Sequence, residues 1–374
     1  MAVGDDEGTV ERVIVTVTLN PSLDRTMEIA DLNRGGLIHA EATRLDPGGK
    51  GVNVARALTA HGFPACAVVP RNGPEGMRLT ALLGVEGIDV CAVPVTGHTR
   101  SNVSLVEPDG TVTKINERGG RLTDGDLEAI LEAVLAVGDG AEWVVASGSL
   151  PPGVPDAFYA RLGQRVSELG VRFAVDTSGP ALPAALETRP ALVKPNRDEL
   201  AESVGFRIDT VADAVRAAEV IREAGAGAVL ASLGEDGAVL VDANGVRYGE
   251  SPVDGGRSAV GAGDAMLAGF LAATLANGGS NGGSNGAVNG RAEGSGRGAG
   301  DGGAETGSGG PVDGVGGDAL VEALSWGAAA VRLPGSRMPG PSDVDRSAVC
   351  VHATADLSRQ LSGPHQVHGM EQIR

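Results

Sequence analysis

Residues 12–19 (RVIVTVTL) form an apolar, β-branched run that Asn20-Pro21 ends, which predicts a buried strand followed by a turn. Runs of the same kind recur at 65–69, 143–146, 172–176, 191–193, 228–232 and 238–241. Between most of them lie stretches with apolar residues at 3.6-residue spacing, among them 51–61, 124–137, 156–170 and 209–224, which predict amphipathic helices. Strand and helix alternating in this way predict an α/β fold, a mostly parallel sheet with helices on both faces.

Three parts of the chain depart from that rhythm. Residues 27–45 and 96–118 alternate polar and apolar positions, with Pro108-Asp109-Gly110 as a hairpin turn, so they are expected as short antiparallel strands beside the main sheet. Such a layer is a lid over a cleft or a decoration of the sheet edge. Residues 277–317 are nearly all Gly, Asn, Ser, Ala and Asp, too polar to offset the entropy of ordering them, and are expected as a disordered insertion looping out of the core. The helical patterns at 265–276 and 318–331 flank it. The organisation expected is therefore one domain over 12–361, with flexible tails at 1–11 and 362–374. The pair His365 and His368 in the second tail is expected to be solvated rather than metal-bound.

Charge and cysteine usage narrow the function classes. A formal net charge of -18 argues against nucleic acid as the main partner, while a small anionic substrate needs only a few local cations. Cys66, Cys91 and Cys350 are odd in number and widely spaced, so neither a disulfide framework nor a zinc site is expected. Residues 1–12 lack the features of a signal peptide and no long apolar run follows, so the expected setting is cytoplasmic with no membrane contact. Arg is abundant but Lys occurs only as Lys50, Lys114 and Lys194, which marks places where a compact ammonium does what a guanidinium fork does not.

The segment Val260-Gly261-Ala262-Gly263-Asp264 runs into an apolar helix. Glycines at a helix start leave backbone N–H groups uncovered at the positive end of the helix dipole, which makes an anion site. Asp264 beside that anion accepts a proton from an incoming hydroxyl, or else serves as a helix cap. Asp46-Pro-Gly-Gly-Lys-Gly-Val-Asn53 opens another helix, with a turn at Gly48-Gly49 open to a ligand and Lys50 and Asn53 as cation and amide. Neither GxxxxGK[ST] nor GxGxxG is present at the expected place. Asp24 follows the first strand, where an open parallel sheet binds ligands, and either meets sugar hydroxyls or caps a turn. Arg100 either clamps a phosphate with its planar fork or is a solvated surface charge. Ser149, the pair Asn196 and Glu199, and the turn Ser232-Leu-Gly-Glu-Asp-Gly237 all follow strands; Asn196 and Glu199 are spaced to orient water around magnesium.

In chain order, TLNPSLD (18–24), PGGKGVNVARAL (47–58), TRSNV (99–103), INE (115–117), SGSLPPGVP (147–155), DTSG (176–179), LVKPNRDEL (192–200), SLGEDGAVLV (232–241), VGAGDAMLAGF (260–270) and RLPGSRMPGP (332–341) resemble the PfkB-type, ribokinase-like carbohydrate kinases, most of all their 1-phosphofructokinase branch. The resemblance implies a three-layer α/β/α sandwich with a small β lid, a homodimer formed through the lids, and ATP and Mg²⁺ as cofactors. It implies Asp264 as catalytic base and Gly261, Ala262 and Gly263 as anion hole. Asp24, Gly49, Lys50, Asn53, Arg100 and Ser149 are implied as contacts to a sugar phosphate. Lys194, Asn196, Ser232, Gly234, Gly237 and Val260 are implied on the nucleotide side, with Glu199 and Asn196 reaching magnesium through water. The implied reaction is phosphorylation of fructose 1-phosphate at O6. Kinases of tagatose 6-phosphate or fructose 6-phosphate share these motifs, and a non-catalytic sugar-phosphate sensor would not need Asp264. Ala259 and Ala265 depart from the Thr and Ser found there in many members.

Overall fold

A computed structural model describes residues 13–253, 258–278, 316–352 and 356–363. Most of the 277–317 segment, residues 1–12, and His365 and His368 lie outside the described residues. In chain order, β1 (Ile14–Val17) leads into β2 (Ser22–Glu28) and β3 (Ala42–Gly48), then α1 (Lys50–Ala60), β4 (Ala65–Arg71), α2 (Gly73–Val85), β5 (Asp89–Pro94), β6 (Arg100–Val106) and β7 (Val112–Asn116). The middle of the chain runs α3 (Asp124–Gly138), β8 (Trp143–Ser147), α4 (Phe158–Glu168), β9 (Arg172–Asp176), α5 (Ala181–Leu186), β10 (Leu192–Val193), α6 (Arg197–Val204) and α7 (Val211–Glu223). It ends with β11 (Ala228–Ser232), β12 (Ala238–Asp242), β13 (Gly245–Glu250), α8 (Ala262–Gly278), α9 (Gly316–Arg332) and β14 (Cys350–His352).

The main sheet has the order β14-β13-β12-β11-β10-β9-β8-β1-β4-β5, parallel from β11 to β5 and antiparallel from β11 to β14. Its central strands β1 and β8 are buried at every position because both faces of the sheet are covered. On β1, Ile14 packs into the core shared with α1, α8 and α9, while Val15 and Val17 point the other way, toward α3 and α4. On β8, Trp143 and Val145 face the first core, and Val144 and Ala146 the second. The resulting three-layer α/β/α arrangement is the expected fold.

The lid is a separate four-stranded sheet of order β3-β2-β6-β7. Its hairpin turns at Pro108-Asp109-Gly110 as expected, with Gly110 at φ 88° and its N–H donating to the Glu107 carbonyl at 2.9 Å. The lid begins earlier than the alternation suggested, however. Asn20-Pro21 ends β1 and the chain passes straight into β2 at Ser22, so Asp24 belongs to the lid rather than to a turn over the main sheet. At the other end, Ser362 was expected in the loose tail but donates through its N–H and Oγ to the buried Asp236 carboxylate, at 2.7 and 2.9 Å.

Helices α8 and α9, which flank the Gly-rich segment, pack against each other, and α8 also meets α1. This explains why α8 is apolar on all sides. Close approach depends on Gly269: a Cβ there would lie 2.7 Å from the Glu322 carbonyl oxygen and 2.9 Å from Trp326 Cγ. Trp326 in turn stacks on His61, with ring centroids 3.5 Å apart. Gly→Ala inside a helix ordinarily stabilises by up to about 1 kcal/mol. Gly269→Ala is expected to reverse that sign and destabilise by roughly 1–3 kcal/mol through overpacking, read from urea or thermal unfolding; an unchanged or higher midpoint would refute the close-contact account.

Candidate active site

The first turn of α8 begins at Ala262, directly after Gly261 at φ 78°. That left-handed φ suits glycine, and a Cβ there would also lie 2.5 Å from Met338 Cε. Ala262, Gly263 and Asp264 are the first three helical residues, so their N–H groups have no intrahelical acceptor and sit at the positive end of the dipole, the Ala262 N–H meeting the Ala259 carbonyl at 3.4 Å. A Cβ on Gly263 would be 3.3 Å from Lys194 Nζ, which places an ammonium beside the same turn. Asp264 is buried and its Oδ2 accepts from Asn53 Nδ2 at 2.8 Å.

Charge is concentrated behind this turn. Asp176, at the carboxyl end of β9, is fully buried. Its Oδ1 accepts from Lys50 Nζ at 2.8 Å and its Oδ2 lies 3.2 Å from Lys194 Nζ. Lys50 also reaches Glu199 Oε1 at 2.8 Å. Burial pushes the Asp176 carboxyl up, but the Lys194 and Lys50 ammonium groups outweigh it and hold its pKa below the ordinary value. Burial likewise opposes the charge on Lys50, and the Asp176 and Glu199 carboxylates overcome it, so Lys50 stays protonated. Asp264 is shifted the other way, to about 6: burial and the nearby Asp176 charge raise it, against Lys194, the Asn53 hydrogen bond and Lys50.

A cavity of about 880 Å³ opens onto this cluster. Lys50, Lys194, Asn196, Gly261, Gly263 and Asp264 line it, together with Ser232, Gly234 and Gly237. Gly237, at φ 89°, also lets the Gly249 carbonyl pass closely behind it. Val260 is not on the wall; its N–H donates to Ser258 Oγ at 3.2 Å. Of the two departures from the common motif, Ala259 lines the cavity, whereas Ala265 is buried in the core, where a hydroxyl would meet apolar neighbours.

The remaining predicted residues gather where the lid joins the core. Asp24 Oδ1 accepts from Ser22 Oγ at 2.6 Å and from Asn102 Nδ2 at 2.8 Å, and the carboxylate rests on Gly48. Gly49, at φ 117°, carries the chain from the lid into α1. Arg100 donates from Nε to the Asn20 carbonyl at 3.2 Å and from Nη1 to the Glu117 carbonyl at 3.1 Å. Ser149 Oγ accepts from Asn20 Nδ2 at 3.2 Å. Asn196 and Glu199 form a reciprocal capping box at the start of α6, and Glu199 divides its two oxygens between that box and Lys50. Among the described residues no group of three or more His, Cys, Asp or Glu side chains converges on a metal position.

Sequence reasoning quoted Asp176 within DTSG but gave it no role, although a lone Asp at the end of a buried strand is a usable signal. It also passed over Asn20, which links Ser149 and the Arg118 carbonyl. Met338, packed against Gly261, carried no legible signal.

A profile of the pfkB family of carbohydrate kinases matches residues 17–283. The chain is 36% identical over 260 residues to the 1-phosphofructokinase of Bacillus subtilis, covering 70% of this chain and 85% of the relative. It is 37% identical over 257 residues to ATP-dependent 6-phosphofructokinase isozyme 2 of Escherichia coli, covering 68% and 83%. The crystal structure of phosphofructokinase-2 from Escherichia coli in complex with substrates and products superposes with a TM-score of 0.74 at 31% identity, over 88% of this chain and 96% of that one. No described helix is long and apolar enough to cross a membrane. With the family profile matching residues 17–283 and these likenesses over most of its length, the chain belongs to the pfkB family of carbohydrate kinases and is a sugar phosphotransferase.

Proposed function

We propose that this kinase transfers the γ-phosphoryl group of ATP to O6 of fructose 1-phosphate, giving fructose 1,6-bisphosphate and ADP. The observation that carries the proposal is Asp264: a buried carboxylate in the first turn of α8, held by Asn53 and poised near pKa 6. A base with that pKa is largely ionised at neutral pH and still takes up a proton readily. The choice of fructose 1-phosphate rests on the relatives that bear the name 1-phosphofructokinase.

In this reading Asp24 and Asn53 hold the sugar hydroxyls. Arg100 spends two of its five N–H groups on backbone carbonyls, leaving three for the sugar's phosphate, with Lys50 as a second cation. Asp264 accepts the C6 hydroxyl proton as that oxygen bonds to the γ-phosphorus, and the bond from phosphorus to the β–γ bridging oxygen breaks, releasing ADP. The N–H groups of Gly261, Ala262 and Gly263, with Lys194, offset charge on the transferred group. Val260 sets the entry of that loop, and Ser232, Gly234 and Gly237 line the nucleotide's side. Mg²⁺ bound with the nucleotide neutralises phosphate charge; Glu199 and Asn196 would contact it through water. A second copy of the chain, docked lid to lid, would cover Val112 and Ile115, which are 46% and 58% exposed on β7.

A coupled assay over fructose 1-phosphate, fructose 6-phosphate, tagatose 6-phosphate and ribose should give the highest kcat/KM with fructose 1-phosphate; a better rival substrate overturns the narrow assignment. Asp264→Asn should lower kcat by several orders of magnitude with ATP binding kept, and wild-type kcat/KM should fall about tenfold per pH unit below about 6 as the base is protonated. Near-normal turnover in the variant excludes Asp264 as the base. Its melting temperature at pH 8 should not fall below wild type: Asp264 has a raised folded pKa, so its ionisation destabilises the fold as pH rises through about 6, and Asn lacks that burden. Light scattering should report a dimer mass; a monomer at assay concentration would rule out the lid interface.

A further inference from the structure

Arg56, on α1, is only 6% exposed, although arginine is seldom buried without a task. Its Nε and Nη2 donate to the two carboxylate oxygens of Glu86 at 2.7 and 2.8 Å, a bidentate pair whose acid is more than a third exposed. Its Nη1 points inward with two hydrogens, which it gives to the Ser336 carbonyl at 2.9 Å and the Pro47 carbonyl at 3.2 Å, sharing one with Asn53 Oδ1 in a longer contact of 3.4 Å. One turn of α1 thus sets a guanidinium, an amide and the base in a row: Arg56, Asn53, Asp264.

The polarity of that row admits one arrangement. A guanidinium only donates and an ionised carboxylate only accepts, whereas an amide has one end of each kind. With Oδ1 held by Arg56, Asn53 must present Nδ2 to Asp264. Flipped, the amide would set its oxygen against the carboxylate and its NH₂ against the guanidinium, losing both bonds. The same Nη1 fixes the Pro47 carbonyl, just before the Gly48-Gly49 turn, and the Ser336 carbonyl, in the loop that carries Met338 against Gly261.

We propose that Arg56 is a positioning residue for catalysis: it orients the Asn53 amide toward Asp264 and ties the sugar-side turn and the loop behind the anion hole to the same point. The inference rests on the assignment of Asp264 as base. The charged groups that face Asp264 are Asp176 from the end of β9, Lys194 after β10 and Lys50 on α1; Asn53 is its neutral partner. Among these, the Asn53 hydrogen bond is the contact that Arg56 controls, and it favours the ionised base.

The test is Arg56→Lys, which keeps the charge but loses the fork, with Glu86→Gln as a milder variant. Arg56→Lys is expected to lower kcat by about tenfold or more, to leave KM for ATP within about twofold, and to move the acid limb of kcat/KM up by about half a pH unit or more. In an Asn53→Ala background the same substitution should cost less than about twofold, because the residue it acts through is gone. An unmoved acid limb together with equal losses in both backgrounds overturns the proposal. If Arg56→Lys shows no cooperative melt, Glu86→Gln is read by the same two criteria, with smaller shifts in the same direction expected. Asp264→Asn separates the two failures: an active Asp264→Asn enzyme removes the base and Arg56 with it, whereas an inactive one with an unmoved Arg56 variant removes Arg56 alone.

Discussion

The fully buried carboxylate of Asp176, shared between Lys50 and Lys194, is the interaction on which the site depends. An isolated charge there would cost several kcal/mol to desolvate, and loss of either lysine would leave it under-compensated. Each lysine is thereby fixed in a second role. Lys194 is brought to the first turn of α8 beside Gly263, and Lys50 is drawn to Glu199, which caps α6. The same carboxylate raises the proton affinity of Asp264. One buried charge therefore places two cations and raises the pKa of Asp264.

The arrangement trades stability for function. Asp264 shifted from an ordinary carboxylate value to about 6 corresponds to a penalty on the order of 2–3 kcal/mol for holding it ionised at neutral pH. That is a sizeable share of the net stability of a typical domain. The two-sided core under β1 and β8 and the α8–α9 contact at Gly269 offset it.

Much of this was legible because the signals were local. A run such as residues 12–19 declares a strand covered on both faces, and the glycines before Asp264 declare a helix start with uncovered backbone N–H groups. The scarcity of lysine was informative too, since two of the three lysines meet at Asp176. What stayed hidden depends on long-range contacts. Arg56 looks like any other arginine until Glu86, Pro47 and Ser336 close around it. Helix α2 was missed because Gly73, Pro74 and Gly76 blur its periodicity; Asn72 caps it by accepting from the Gly73 N–H. Asp24 reads as following the first strand beyond the Asn20-Pro21 turn, whereas β2 pairs with β3 and β6 from Ser22 onward and takes Asp24 into the lid.

The lid is held at two separate places, which bears on how the sugar side works. On one side Arg100 binds the Asn20 carbonyl, and the Asn20 side chain rests on Gly119 and bonds Ser149, all at the junction of the lid with β1 and β8. On the other, Arg56 holds Pro47, and Arg44 on β3 reaches the Pro334 carbonyl at 3.4 Å. The Arg44 fork also lies against Gly335, where no side chain fits beside it. Both anchors on this second side converge on one loop, residues 333–340, and that loop also supports Gly261 through Met338. β3 is therefore tied through this loop to the turn at Gly261, while β6 is tied through Arg100 to the Asn20 carbonyl. The two strands that border Asp24 are thus anchored to different parts of the core, β3 to the loop behind Gly261 and β6 to the junction with β1.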